Sequence, residues 1–463
     1  MLKKVALLLT AVFMAAVMAN CEKPANAEDP GKDEPATSEL KQLKVTVPVV
    51  QDWIFSGNPA FALHVENPND VAVNAKIKVG IQTDMKKAVV SITKTVKAPS
   101  GESDIDIEMP EGTTLDPGFY KATCMLENKT VKTFVFGVSP SEIVSAPDKQ
   151  TDFDAFWDAS VAQLEAIPMN ANLIEFPSRS SASRKAYLVE IQSVPDGLTG
   201  DPVTVRGYYL EPTDGKPHPV IMHFFGYDDL KPTSSNKVSC PYAGSDDTYA
   251  EFYLSHRGQY INNRTAAQRS PNDGLGDLKN PYGDWFAFNF GVRDGYYYRG
   301  AFLDCVQAIR FMATRPTSDM NNVFAEGSSQ GGALSYAAAA LSPYPLKAIA
   351  PCVAFLGDYP DYFRIVSWPG NVAKSHKGSM TDDQMYAFLS YFDTKNLATR
   401  IHCAVIACSG LLDETCPPHT NTAPFNNLPV TDKKMYYYPN LMHQIPGNWN
   451  NLYMAFFKER TTQ

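Results

Sequence analysis

Between residues 42 and 139 the chain is a succession of short runs in which apolar and polar positions alternate. Lys44–Val50, Ala60–Glu66, Ala75–Gln82, Val89–Thr95, Asp104–Met109, Tyr120–Leu126 and Thr130–Val138 are each rich in β-branched or aromatic residues. Ile105, Ile107 and Met109 show the period of two expected of a half-buried strand. Turn signals such as Asn67-Pro68-Asn69-Asp70 and Asp116-Pro117-Gly118 separate the runs. Seven such strands in about a hundred residues predict an immunoglobulin-like β-sandwich over residues 42–139. Ser139-Pro140 to Pro147-Asp148 reads as a linker.

The period changes after residue 148. Phe153, Phe156, Trp157, Val161 and Leu164 recur at helical spacing, and Thr151 opens a T-x-x-D capping pattern ahead of them. Strand-like and helical runs then alternate to the end. Pro219–Phe225, Val323–Glu326, Leu346–Phe355, Ala404–Cys408 and Lys434–Tyr438 read as buried strands; Tyr298–Met312 and Ala333–Leu341 read as helices. Such alternation predicts an α/β unit over residues 148–463, a parallel sheet flanked by helices.

Composition adds limits. A chain of 463 residues, 44% hydrophobic and 20% charged, can bury two cores. Its formal charge of −9 argues against a nucleic-acid partner, which would require a basic face. The N-terminus stands apart from the fold. Lys3 and Lys4 precede an uncharged, mostly apolar run, Val5–Val17, that ends at Met18-Ala19-Asn20-Cys21. The run is short for a membrane span. It resembles a bacterial lipoprotein signal over residues 1–21, with Cys21 as the lipid-bearing residue. The expectation is an exported protein anchored to a membrane and facing the periplasm or the cell surface. Residues 22–41, rich in Pro, Ala, Glu, Asp and Lys, read as a flexible linker. The seven other cysteines are odd in number and irregularly spaced, which does not suggest a disulfide framework. Cys403 and Cys408, in or beside an apolar run, are expected to be buried as small hydrophobes. The chain has no CxxC or HExxH motif, so neither a metal site nor a cofactor is predicted.

The strongest chemical signal is Gly327-Ser328-Ser329-Gln330-Gly331-Gly332, which contains the only G-x-S-x-G match. The strand-like Val323–Glu326 leads in and the helix-forming Ala333–Leu341 leads out, the layout of a nucleophile elbow in an α/β-hydrolase. Ser329 is the candidate nucleophile. A serine requires a base, and in this fold the order is Ser, then Asp or Glu, then His. His443 follows the strand Lys434–Tyr438, where the base belongs; His419, after Cys416-Pro417-Pro418, is expected near a helix start. Asp413, just past the strand Ala404–Cys408, is the candidate acid. Glu414 is its neighbouring alternative, and Asp358 and Asp361 lie one connection earlier. An oxyanion hole requires two backbone donors. The amide of Gln330 is the first, and that of Tyr227, after the strand Pro219–Phe225, is the second.

Together with these, several separated motifs carry a family resemblance. Arg257-Gly258-Gln259, Gly327 to Gly332, Gly410-Leu411-Leu412-Asp413 with Cys416-Pro417-Pro418, and His443 resemble motifs of the acetyl xylan esterase and cephalosporin-C deacetylase family. Tyr297-Tyr298-Arg299 and Leu389–Asp393 with Asn396-Leu397-Ala398 add to the likeness, which spans about Asp148 to Lys458. The resemblance implies a Ser329–His443–Asp413 triad that deacetylates xylan fragments and related acetyl esters. It also implies an oxyanion hole from Tyr227 and Gln330, with Arg257 and Gln259 bracing the site. Members of that family are commonly cytoplasmic oligomers, so a homo-oligomer is a further expectation. Three positions depart from the pattern: Phe225 precedes Gly226-Tyr227 in place of His, Tyr260 follows Gln259 in place of Gly, and Gln444 follows His443 in place of Glu. Trp285 and Tyr296 are weighed as sugar-stacking aromatics against the commoner role of core packing. The competing functions are a serine peptidase or feruloyl esterase with the same triad, and an inactive glycan-binding surface lipoprotein. The sandwich is expected to be a spacer or a dimer contact.

Overall fold

The computed structural model describes residues 40–227, 240–258 and 280–462. The expected signal segment with Cys21, the linker up to residue 39, and Gln259 lie outside the described residues. Among those described, no helix is long and apolar enough to cross a membrane.

Eight strands make the N-terminal part: β1 (Lys44–Thr46), β2 (Ile54–Phe55), β3 (Phe61–Asn67), β4 (Val73–Thr83), β5 (Ala88–Ala98), β6 (Gly101–Ile107), β7 (Gly118–Leu126) and β8 (Lys129–Val138). They form a three-stranded sheet, β1-β3-β6, and a five-stranded sheet, β2-β8-β7-β4-β5. All seven expected strands are present, and β2 is the addition. In β4 the apolar Ala75, Ile77, Val79 and Ile81 are buried while Lys76 and Lys78 face out, so alternation fixes the register. Trp53 fills the space between the sheets, fully buried, and stacks on Phe134 at 4.1 Å. Its burial is worth about 1.5–3 kcal/mol or somewhat more, as for other large apolar side chains. The Tyr120 hydroxyl donates to the Asp116 carbonyl at 2.8 Å, a tyrosine corner of the immunoglobulin-like type.

The second part is a nine-stranded sheet. Its strands are β9 (Asn172–Glu175), β10 (Arg184–Pro195), β11 (Pro202–Pro212), β12 (His218–Phe224), β13 (Ala250–Ser255), β14 (Ser318–Ser328), β15 (Ala348–Cys352), β16 (Ala404–Gly410) and β17 (Lys433–Tyr438). The order is β17-β16-β15-β14-β12-β13-β11-β10-β9. Strands from β13 to β17 run parallel. The expected sheet was parallel throughout, but β9, β10 and β11 add an antiparallel half. Helix α1 (Phe153–Glu165) buries Phe153, Phe156, Trp157 and Leu164, as its spacing predicts. The predicted capping by Thr151 does not occur: Asp152 is the cap position, and its side chain makes no cap hydrogen bond. Helix α2 (Tyr297–Met312) is buried on nearly every face, beneath β10 and beside α3 (Gln330–Leu341). The seven described cysteines are free thiols; Cys408 is buried, while Cys403 is partly exposed.

The two parts form one compact unit, from Gln42 to Gln463. The expected linker is pinned: Asn426 Nδ2 donates to the carbonyls of Pro140 at 2.9 Å and Ile143 at 3.0 Å, and Asn427 Nδ2 to that of Ser145 at 2.7 Å. Leu411, from the end of β16, joins the sandwich core.

A charged cluster crosses the same contact. His419 lies at the start of the helix Pro418–Asn426. Its Nε2 is 3.2 Å from Asp358 and 3.4 Å from Asp361, and its Nδ1 is 3.3 Å from Asp84 of the sandwich. Lys395 Nζ reaches Asp358 at 3.0 Å. These three, Asp358, Asp361 and His419, are the one group among the described residues that could gather around a metal ion, but the Lys395 ammonium already supplies a cation there. Burial alone would lower the His419 pKa, but hydrogen bonding to Asp358, Asp361 and Asp84 carries it up to about 11. Burial works to raise the Asp358 carboxyl, yet His419 and Lys395 hold it down at about 2. The His419 contribution to stability is therefore full below its ordinary pKa and is lost as pH rises through about 11. The Asp358 contribution is full above the ordinary carboxylate range and is lost as pH falls through about 2. Replacing His419 by Ala strands its carboxylate partners, and urea unfolding at neutral pH is expected to give a loss of about 3–5 kcal/mol.

Candidate active site

β14 ends at Ser328, and α3 begins at Gln330. Between them Ser329 takes φ 57° and ψ −120°, a conformation that costs a non-glycine residue about 1–3 kcal/mol. Backbone bonds over-determine it. Ser329 N–H donates to Cys352 O at 2.9 Å, and Ser329 O accepts from Gly332 at 3.0 Å and Phe355 at 2.9 Å. A Cβ on Gly331 would collide with the Phe224 carbonyl, so only glycine lets α3 start this close to β12.

Ser329 Oγ lies 2.9 Å from His443 Nε2, and His443 Nδ1 lies 2.8 Å from Asp413 Oδ2. With the Nδ1 proton donated to Asp413, Nε2 is free to accept from the serine hydroxyl. Asp413 is buried, and its other oxygen accepts the amides of Thr415 and Cys416, both at 2.8 Å. Its loop and the His443 loop meet backbone to backbone. Leu412 N–H donates to Leu441 O at 3.0 Å, and a Cβ on Gly410 would strike that carbonyl. Of the acids weighed from the sequence, the structure brings only Asp413 to His443. Glu414 points outward, 87% exposed, and Asp358 and Asp361 belong to the His419 cluster.

Gln330 is the first residue of α3, so its amide has no acceptor within the helix. Its side chain is fixed on both sides: Oε1 accepts from Tyr298 at 2.9 Å, and Nε2 donates to His256 Nε2 at 2.5 Å. Burial pushes the His256 pKa down to about 4, which keeps the ring neutral and able to accept. Gly226, before Tyr227, lies beside Ser329; a Cβ there would be 3.8 Å from that of the serine. The Tyr227 hydroxyl donates to Asp284 Oδ1 at 2.6 Å and accepts from Trp285 N–H at 2.7 Å. Burial and the Asp284 charge raise its pKa, so it remains a neutral donor.

Arg257 does not touch the triad. Its buried guanidinium grips Asp304 of α2 at 2.8 and 2.6 Å and reaches the Val194 and Pro195 carbonyls at the end of β10. The neighbouring His256 then meets Gln330. Of the two roles weighed for Trp285 and Tyr296, the structure shows the commoner one, core packing: they are 3% and 1% exposed, and Trp285 stacks on Tyr297 at 4.8 Å. Three residues with a hold on the site, His256, Tyr298 and Asp284, were missed from the sequence. Tyr298 lies inside the Tyr-Tyr-Arg motif, and His256 directly precedes Arg257-Gly258, so both stand in stretches already singled out.

The family model for acetyl xylan esterase (AXE1) matches residues 142–461. This chain belongs to the acetyl xylan esterase family. It is an enzyme, a carbohydrate esterase on the α/β-hydrolase fold. An acetyl esterase of Xylanibacter ruminicola, Axe7A, is 26% identical over 429 residues, 90% of each chain. An alignment of that length cannot fit within residues 142–461 and so runs into the sandwich. Acetyl xylan esterase 1 from Thermoanaerobacterium sp. JW/SL YS485 and the acetyl xylan esterase of Paenibacillus sp. R4 share the fold. Each has a TM-score of 0.57 at 24% identity, covering 70% of this chain and 98% of the other.

Because Asp413 fixes the His443 tautomer, Asp413→Asn is expected to lower kcat on a small acetyl ester about 10⁴-fold while the fold persists. Steady-state kinetics alongside circular dichroism checks this.

Proposed function

We propose that the enzyme removes O-acetyl groups from acetylated xylan or xylo-oligosaccharides through an acetyl-serine intermediate on Ser329. The observation that carries this reading is the continuous hydrogen-bond chain Ser329–His443–Asp413 at a nucleophile elbow. Ser329 Oγ attacks the acetyl carbonyl as His443 Nε2 takes its proton. The tetrahedral oxyanion accepts hydrogen bonds from the Gln330 and Tyr227 amides, and the N-terminus of α3 adds its positive dipole. His443 then protonates the departing sugar oxygen. A water, deprotonated by His443, attacks the acetyl-serine; acetate leaves and Ser329 recovers its proton. No cofactor takes part in these steps. Arg257 acts as a brace, tying β10 to α2 behind the strand end that carries His256.

The names of the relatives support acetyl transfer to water from a carbohydrate. The Lys3-Lys4 start, the apolar run and Cys21 support export and a lipid anchor, with the enzyme facing the periplasm or the cell surface.

The test is acetate release from acetylated xylo-oligosaccharides by wild type and Ser329→Ala, with a peptide and a feruloyl ester in parallel. Wild type is expected to release acetate and the variant to lose about 10⁶-fold in kcat, the scale seen when a triad serine is removed. Turnover of the peptide or the feruloyl ester without acetate release would overturn the substrate assignment.

A further inference from the structure

A groove of about 590 Å³ opens between the sandwich and the esterase, within the usual size range of small-molecule sites, about 300–1,000 Å³. One wall is the outer face of the five-stranded sheet. On β7 and β8 the residues with outward parity, Lys121, Thr133 and Val135, line it, while Ala122, Phe134 and Phe136 fill the core behind. The opposite wall is the loop that carries the catalytic acid, Leu411 to Glu414, together with Ser367 and Met442.

Two chain neighbours tie this groove to the reaction centre. Met442, 57% exposed, immediately precedes His443. Ser367 immediately precedes Trp368, whose ring meets Tyr227 at 5.6 Å and stacks on Phe355 at 5.2 Å. The lining also has the mixed chemistry of a sugar site. Gln82, Thr133 and Ser367 offer hydroxyl and amide groups, Lys121 and Glu414 face each other at 3.9 Å, and Val135 and Met442 offer apolar surface. The sandwich is held at a fixed distance, since Phe119 packs on Tyr437 of β17 and Asp84 on His419.

We infer that the sandwich is part of the substrate site: the groove holds sugar units of an acetylated oligosaccharide beyond the one being deacetylated. This rests on the carbohydrate reading above. It gives the sandwich a binding role in place of the expected spacer. The sandwich lies outside the residues matched by the family model, so one wall of the groove is built from chain that the family's esterase unit does not include.

The experiment compares Thr133→Trp, which fills the groove, and Lys121→Ala with wild type in the full chain. Three substrates are used: p-nitrophenyl acetate, acetylated xylobiose, and acetylated xylo-oligosaccharides several units longer. KM for the long chains is expected to rise about tenfold, the scale of one or two lost hydrogen bonds, while kinetics on both small substrates stay within about twofold. Normal turnover of p-nitrophenyl acetate also reports an intact fold. Unchanged KM for the long chains, or equal losses on all three substrates, overturns the inference and leaves the esterase reading standing. If wild type releases no acetate from either carbohydrate, the substrate reading falls and the groove assignment falls with it.

Discussion

The whole site depends on holding Ser329 at a positive φ. That backbone is unfavourable for serine in isolation and persists because neighbouring strands leave it no alternative. Cys352 of β15 accepts its amide, Phe355 donates to its carbonyl, and Gly331 lets the following helix approach Phe224 of β12. The same turn exposes Oγ at the carboxyl end of the sheet and leaves the first amide of α3 without a helical partner. The proposed nucleophile and the proposed oxyanion donor thus arise from one local constraint. The central position of β14, between β12 and β15, secures that constraint from both sides.

Around it, the sheet order does the positioning. β15 and then β16 lie beyond β14, and β17 forms the edge, so Asp413 and His443 arrive on loops from neighbouring strands. Gly410 allows those loops to touch through backbone atoms, which shortens the path between acid and base without a long side chain. Farther out, neutral His256 and Tyr298 orient Gln330, and Asp284 anchors Tyr227. Each of these contacts is made before substrate arrives, so reorganisation during the reaction is small.

The triad was legible because every member sits at a strand end with a recognisable local pattern. G-x-S-x-G between a strand and an alanine-rich helix, Asp413 after Ala404–Cys408, and His443 after Lys434–Tyr438 are local signals. The sandwich was legible for a similar reason: β4 alternates cleanly, and its buried residues all fall on one parity. What was not legible depends on distant contacts. Asp284 meets Tyr227 across 57 residues, and His256 meets Gln330 across 74, so no spacing betrays either pair. The antiparallel half was missed because β9 to β11 carry polar residues such as Lys185, Glu190 and Arg206 on their partly exposed faces. Thr151 matches a capping pattern, but the helix begins two residues later, and its side chain makes no cap bond.

In the proposed mechanism Ser329 becomes acetylated during turnover. The most direct measurement is rapid acid quench of the enzyme with a small acetyl ester during the initial burst of alcohol release, followed by peptide mass spectrometry. One acetyl group is expected, on the peptide that carries Ser329. A burst that leaves Ser329 unmodified, or acetylation of a different side chain, would contradict it.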